Sequence, residues 1–374
     1  MQDYLKEYQM RITALSPIHV GNGMKIGKKE YIQQGETAPV IVPDMVKMFS
    51  TLHRLNKEQA YAEFMLNEKR IGLEQWLKEQ KISPQYIEAW KRYSMDAGDA
   101  FIRKSTGRRD ATPKEIMCFM KDAYERPYIP GSTLKGMFRT ALLCWRVCKN
   151  RDMYKQELSN LVHATDYDGK RKTYLQREIE TLETAVFHTL GRDDRRQMNA
   201  VNSIMSGFVV SDSKPISEKR LILAQKIDYN LYYEEKKLPI LREALMPGTQ
   251  IDFSITIDNT ICDVTIEELI EALEYFKKTV YDNFYVKFGR GCTIDGTVWL
   301  GGGTGFLSKT ILYPLYEKRA VELTDKVFRV TLGKNYKEHK HNSDVANGAS
   351  PHVCKCTRYQ GKLYDMGAGK IEIL

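Results

Sequence analysis

Apolar residues in this chain recur with two different periods, and their order along the chain constrains the fold more than any other feature. Tyr8, Met10, Ile12 and Ala14 alternate with Gln9, Arg11 and Thr13, the pattern of a strand buried on one face. Ile251, Phe253, Ile255 and Ile257 alternate in the same way with Asp252, Ser254, Thr256 and Asp258. Elsewhere the period becomes helical. Leu134, Met137, Phe138, Ala141, Leu142, Trp145 and Cys148 share one helix face. Ile266, Leu269, Ile270, Leu273 and Phe276 share another, opened by a Thr265–Glu268 capping box. Shorter strands are expected at Gly207 to Val210, closing at Ser211-Asp212-Ser213, and over Leu221 to Ile227. Strand, helix, strand, strand, helix and a glycine-rich return is the order of a split βαβ unit. The expected fold class is therefore α+β, with one or more ferredoxin-like (RRM-like) cores.

The text between these elements sets the organisation. Asp44 to Arg92 reads as helix, with Phe64, Trp76 and Trp90 as anchors, and Arg103 to Asp110 as a basic loop. Residues 44–125 are expected to be a large helical insertion between a strand and its partner helix. Residues 150–200 are polar and carry Lys170-Arg171-Lys172 and a cluster from Arg192 to Arg196. An N-terminal portion is expected over 1–215 and a C-terminal portion over 216–374; one core with large insertions satisfies the same pattern.

Composition excludes several classes. With 374 residues, 42% of them hydrophobic, the chain is long enough for a sizeable core. No apolar run approaches the roughly 18 residues of a membrane span; the mean hydropathy is -0.46. The opening Met1-Gln2-Asp3-Tyr4 lacks the basic and apolar segments of a secretory signal. Seven cysteines scattered from Cys118 to Cys356 do not form a disulfide framework, so a reducing, cytoplasmic compartment is expected. Lys plus Arg is 57 against 48 acids, a net charge of +9 with a pI near 9.0, which permits binding to a polyanion. Tyrosine, at 22 residues, offers faces on which single-stranded bases stack.

Three glycine-rich loops carry the functional signal: SPIHVGNG at 16–23, IPGSTLKG at 129–136, and the stretch 289–309 with Gly289-Arg290-Gly291 and LGGGTGF. Glycine lets backbone N–H groups approach a phosphate, and a helix N-terminus adds partial positive charge. Residues 131–135 therefore suit a phosphate seat beside Lys135, with Ser132-Thr133 as the hydroxyl N-cap. Lys135, Arg139, Arg146 and Lys149 fall within a sector of about 80°, a basic stripe expected to face solvent. No loop matches a Walker A or Rossmann pattern, which argues against a nucleotide cofactor. A tight turn explains each loop singly; the three together, in a basic chain, point to a sugar-phosphate strand.

SPIHVGNG after a first strand, IPGSTLKGMFRTAL opening a helix, and LGGGTGF with a following SKT resemble the signatures of the repeat-associated (RAMP) proteins of CRISPR systems. With the closing SPHVCKCTRYQGKLYDMGAGKIEI, the chain is most similar to the Csm-family subunit five of type III-A effector complexes. The resemblance implies a ferredoxin-like, non-enzymatic RNA-binding subunit that caps the filament at the guide-RNA (crRNA) 3′ end and supports guide maturation in antiviral defence. It implies as partners the guide RNA, the backbone RAMP subunit and other Csm subunits, host nucleases that trim the guide, and target RNA indirectly; no membrane, cofactor or metal is expected. Carried over by motif, the RNA-contacting positions are His19, Gly21, Gly23, Ser132, Lys135, Arg139, Gly301, Gly302, Gly303, Gly305 and Lys309, with Phe306 packing or stacking beside them. Arg290 is added from its Gly-Arg-Gly setting alone.

His19 also admits a metal-independent endoribonuclease reading, since CRISPR guide-processing ribonucleases use His, Tyr or Lys as acid and base. No second histidine lies near it in sequence; RNA contact and loop-structuring remain open beside catalysis, as does a generic basic scaffold. In the tail, His339, His341, His352, Cys354 and Cys356 lack the paired spacing of a zinc site, so no metal is expected there. Cys144 and Cys148 are expected as buried inert thiols. Glu30, Glu36 and Asp44 match no cleavage motif, and Asp212 and Asp252 are expected to be exposed or capping.

Overall fold

The computed structural model describes residues 4–35, 38–67, 71–102, 113–166 and 175–374; the basic clusters 103–109 and 170–172 lie outside them. In chain order, the first alternating segment is β1 (Leu5–Ala14), followed by β2 (Gly21–Ile26), β3 (Ile32–Gln33) and β4 (Val40–Pro43). Four short helices follow, α1 (Met45–Arg54), α2 (Glu58–Leu66), α3 (Leu73–Glu79) and α4 (Pro84–Trp90), before β5 (Lys91–Met95) and β6 (Glu115–Phe119). Next are α5 (Gly131–Lys149), α6 (Lys155–Thr165), α7 (Gln176–Phe187), β7 (Phe208–Val210), β8 (Leu221–Asn230), β9 (Glu235–Leu245) and β10 (Gln250–Asp258). The chain closes with α8 (Ile266–Asn283), β11 (Thr297–Trp299), α9 (Leu312–Tyr316), α10 (Ala320–Leu332), β12 (Val353–Tyr359), β13 (Lys362–Asp365) and β14 (Ala368–Ile373). No helix among the described residues is long and apolar enough to cross a membrane.

The two period-two segments become neighbours. β1 and β10 lie side by side in a five-stranded sheet of order β11-β14-β1-β10-β7, with every pairing antiparallel. Their register sets Arg11 opposite Asp252, and the guanidinium holds that carboxylate at 2.6 and 2.9 Å, so Asp252 is paired rather than free. Helix α5 links β1 to β7 and α8 links β10 to β14, and both lie on this sheet. Phe138 of α5 meets Phe208 of β7 and Phe253 of β10, with ring centroids 5.8 and 6.3 Å apart. Burying an aromatic side chain of this kind contributes about 1.5–3 kcal/mol. Thr265 accepts from the Glu268 backbone N–H at 3.2 Å, as its capping position predicts. The Glu268 carboxylate instead binds Arg146 of α5.

A six-stranded sheet of order β13-β12-β8-β9-β6-β2 forms the second layer, and a small β3-β4-β5 sheet supports the insertion. The helical insertion is shorter than the expected 44–125. It closes where β4 pairs with β5, because β6 belongs to the second sheet, between β2 and β9. Its helices bury their own aromatic cluster of Tyr61, Phe64, Trp76 and Trp90, with Trp90 Nε1 donating to Thr51 at 3.0 Å. Both large sheets draw strands from either side of residue 215, and one apolar cluster runs from Met10 to Ala368. The expected division at 215 therefore passes through shared sheets.

Candidate nucleic-acid interface

After β1 the chain turns through Leu15 to Val20, and this turn is clamped by the last segment of the protein. Leu15 N and Ser16 N donate to Ala368 O, and Ala368 N donates back to Ser16 Oγ at 2.8 Å. Gly367 N donates to Pro17 O at 2.9 Å, while Leu300 N donates to Gly367 O at 2.8 Å. The first and third glycine-rich loops then meet directly: Gly302 N donates to His19 O at 2.9 Å. Gly301 has φ +83°, and a Cβ there would lie 2.0 Å from His19 O. Gly367 has φ +85°, and its Cβ would lie 2.1 Å from Thr304 Cγ2. Both positions require glycine on conformational and steric grounds. Thr304 closes the loop by donating to Gly301 O at 2.9 Å.

His19 serves this junction from inside. Its side chain is buried, the residue 5% exposed, and Nδ1–H donates to the Glu243 backbone carbonyl at 2.6 Å. Burial holds the imidazole pKa down at about 4 despite that hydrogen bond. The imidazole packs edge-on against Phe119, with ring centroids 6.3 Å apart. Of the three roles left open for His19, burial in this pocket favours loop-structuring. Glu243 carries the rest of the support, its carboxylate accepting from Phe119 N, Tyr93 Oη and Lys121 Nζ. Gly21 and Gly23 lie in β2, at the edge of the second sheet, rather than in a tight loop; the register shifts between Gly21 and Lys25, and Gly23 has φ +84°.

The second loop has other partners. Gly131 N donates to the Asp212 carboxylate at 2.7 Å, and a Cβ on Gly131 would lie 2.3 Å from Val210 O. Asp212 thus places a negative charge at the helix start where an anion was expected. The cap residue is Pro130, with no side-chain cap bond, and Ser132 lies exposed within the first turn. Lys135 Nζ donates to Met205 O at 2.7 Å; burial, then neighbouring Arg139, lowers its pKa. Arg139 pairs with Glu183 of α7 at 2.6 Å, Arg146 with Glu268 and Asp263, and Lys149 lies 3.8 Å from Glu271. Three of the four stripe cations thereby face acids of the same chain, and Lys135 a backbone carbonyl. Arg290 is also fixed, by Asp365 and the Leu363 carbonyl, with its guanidinium over the Tyr229 ring.

Lys309 differs. It is exposed, has no side-chain partner among the described residues, and stands with Phe306 at a cavity of about 1250 Å³. Lys226, Lys236, Lys340 and Lys355 line the same cavity, from the β8–β9 hairpin, the segment after α10, and β12; Asp228, Glu234, Glu235 and Glu338 are its acids. Burial, then the adjacent Lys355, lowers the Lys226 pKa, so this ammonium gains from an arriving anion. Phe306 packs edge-on against Phe328 at 5.2 Å. Gly303 packs on Met366, and Gly305, at φ +80°, on the Lys355 stem. Gly302 is exposed, although its N–H is taken by His19 O. The four additional lysines belong to none of the three glycine-rich loops, so only the folding of β8, β9 and β12 toward the third loop brings them together. The Cys354 and Cys356 thiols are buried, and burial pushes both pKa values up, which keeps them protonated. Burial does the same to Cys144, as expected for an inert thiol.

The RAMP superfamily matches residues 11–308. "CRISPR system Cms protein Csm5" of Mycobacterium tuberculosis is 26% identical over 395 residues, covering 100% of this chain and 99% of that protein. The protein of that name from Streptococcus thermophilus is 28% identical over 326 residues, covering 83% of this chain and 82% of that one. Among solved structures, a chain of a Csm-crRNA-target RNA ternary complex in a type III-A CRISPR-Cas system superposes with a TM-score of 0.69 at 21% identity, covering 98% of this chain and 100% of that chain. T. onnurineus Csm5 superposes with a TM-score of 0.60 at 19% identity, covering 96% and 99%. At these identities the structural likeness concerns the fold.

Proposed function

Because the chain belongs to the RAMP superfamily, we propose that it is a non-enzymatic RNA-binding subunit of a type III-A CRISPR (Csm) effector, capping the filament at the guide-RNA 3′ end. The solved relative from a Csm-crRNA-target RNA ternary complex supports the partner class, with the guide RNA and a neighbouring backbone subunit as direct contacts. Target RNA is engaged indirectly through the guide, and host nucleases trim the guide's 3′ end. The finer fold reading belongs with this proposal: β14-β1-β10-β7, with α5 and α8 as crossovers, is the strand order of a ferredoxin-like βαββαβ unit.

One observation carries the RNA assignment. The third glycine-rich loop places Lys309, exposed and with no side-chain partner among the described residues, at a cavity of about 1250 Å³ that Lys226, Lys236, Lys340 and Lys355 also line. Lysines there neutralise phosphates and release counterions. Recognition is of backbone and shape, with sequence left to base pairing. A non-enzymatic role agrees with the buried, low-pKa His19.

Fluorescence anisotropy of a labelled repeat RNA in EDTA, over a salt series, tests the reading. The expected result is salt-sensitive binding without cleavage, weakened by Lys309→Glu. Cleavage abolished by His19→Ala would replace this reading with the nuclease. Sequencing RNA ends co-purified with the assembled complex tests the 3′ assignment, which fails if those ends do not depend on this subunit.

A further inference from the structure

Between α10 and β12, three side chains converge that take no part in the glycine-rich junction. The Asp344 carboxylate is fully buried, its side chain 0% exposed. Oδ2 lies 2.8 Å from His341 Nδ1, and Oδ1 lies 2.6 Å from His352 Nδ1. One ligand atom from each of the three falls within 4.8 Å of the others. We propose that His341 Nδ1, His352 Nδ1 and one Asp344 oxygen form a binding site for a divalent cation of the zinc class, with its remaining position open to the large cavity.

The donor set favours that ion. Two imidazoles and one carboxylate make a three-ligand set of the type that leaves a further position open, and imidazole nitrogen suits zinc, copper, nickel and iron rather than calcium or magnesium. Metal–nitrogen bonds of about 2.0–2.1 Å place tetrahedral ligand atoms roughly 3.3 Å apart, so each atom here moves by about 1 Å or less to reach such a shell.

The groups around the ligands are already oriented. Ser350 Oγ donates to Asp344 Oδ2 at 2.8 Å, fixing the carboxylate as outer-shell donors do. The His341 ring is held between Phe328 and Tyr336, with centroids 4.9 and 6.0 Å away. Without an ion, the buried Asp344 carboxylate accepts from His341, His352 and Ser350, and no Lys or Arg pairs with it among the described residues. With one, each Nδ1 becomes a ligand atom, the ring N–H lies at Nε2, and the cation offsets the carboxylate. His341 and His352 both border the cavity, giving the ion an entry path.

The test uses the full chain, stripped with EDTA and dialysed, then titrated with Co²⁺ by visible absorption and with Zn²⁺ by calorimetry. The expected result is saturation at one ion per chain and a Tm raised by Zn²⁺. His352→Gln and His341→Gln should each weaken binding by roughly 100-fold or more and abolish the Zn²⁺ effect on Tm, while Ser350→Ala weakens it about 10-fold. Cys354→Ala should leave it unchanged. If His341→Gln does not fold, His352→Gln, whose side chain is partly exposed at 21%, decides. An Asp344 that merely staples the two histidines gives no saturable Co²⁺ spectrum and a Tm indifferent to Zn²⁺. Either result, or undiminished binding in a folded His352→Gln variant, overturns the site.

Discussion

The Glu243 carboxylate has no exposed surface and accepts four hydrogen bonds, from Tyr93 Oη, Phe119 N and twice from Lys121 Nζ. Lys121, with its side chain only 9% exposed, depends on it. Glu243→Gln keeps the shape but leaves a buried ammonium unpaired, which should cost about 3–5 kcal/mol in urea unfolding. Removing both charges with Glu243→Gln/Lys121→Met should recover part of that loss. His19 gives a pH signature. Its pKa in the folded chain is lowered, so the folded state disfavours the proton. The associated stability is present above the unfolded value near 6.5 and is lost as pH falls toward about 4. At full extent the loss is on the order of 3 kcal/mol. Comparing unfolding of wild type and His19→Gln from pH 7.5 to 4.5 should show a shallower decline in the variant; equal slopes would refute the buried-imidazole account.

At the scale of elements, two glycines separate what looks alike in the sequence. Gly301 joins the third loop to the first and needs both a positive φ and the space beside His19 O. Gly301→Ala should destabilise by roughly 2 kcal/mol or more and weaken RNA binding, because the loop must shift to clear a backbone oxygen. Gly136, exposed in α5, has no such duty, since a Cβ there would meet nothing within 4 Å. Gly136→Ala should stabilise by about 0.5–1 kcal/mol, read as an increased urea midpoint. The α5 cations follow the same logic. Lys135→Ala should lower stability through the lost bond to Met205 O, with little effect on RNA affinity once folding is matched.

For the molecule as a whole, the charge of +9 is an average over cations with different duties. Arg139, Arg146 and Arg290 are bound to acids, whereas Lys309 faces the cavity with no partner among the described residues. The salt dependence of RNA binding should therefore respond to Lys309 more than to these arginines. Lys309→Ala should reduce the slope of log K against log salt by about 0.7 if it contacts one phosphate of a single strand. Arg290→Ala should mainly lower stability. A slope unchanged by Lys309→Ala, with affinity also unchanged, would move the RNA elsewhere.

Local pattern alone determined the two alternating strands, the α5 and α8 faces and the Thr265 cap, because period and capping are written within a few residues of each other. It also marked Gly301, Gly302 and Lys309, since glycine runs are local. Tertiary structure alone decided which cations are held by acids: Arg139 meets Glu183 and Arg290 meets Asp365 across long stretches of chain. It likewise buried His19 over Glu243, and drew Asp344 between His341 and His352 where their spacing carried no metal pattern. Charge neutralisation and burial depend on what the fold places opposite a side chain, and no neighbour in sequence reports that partner.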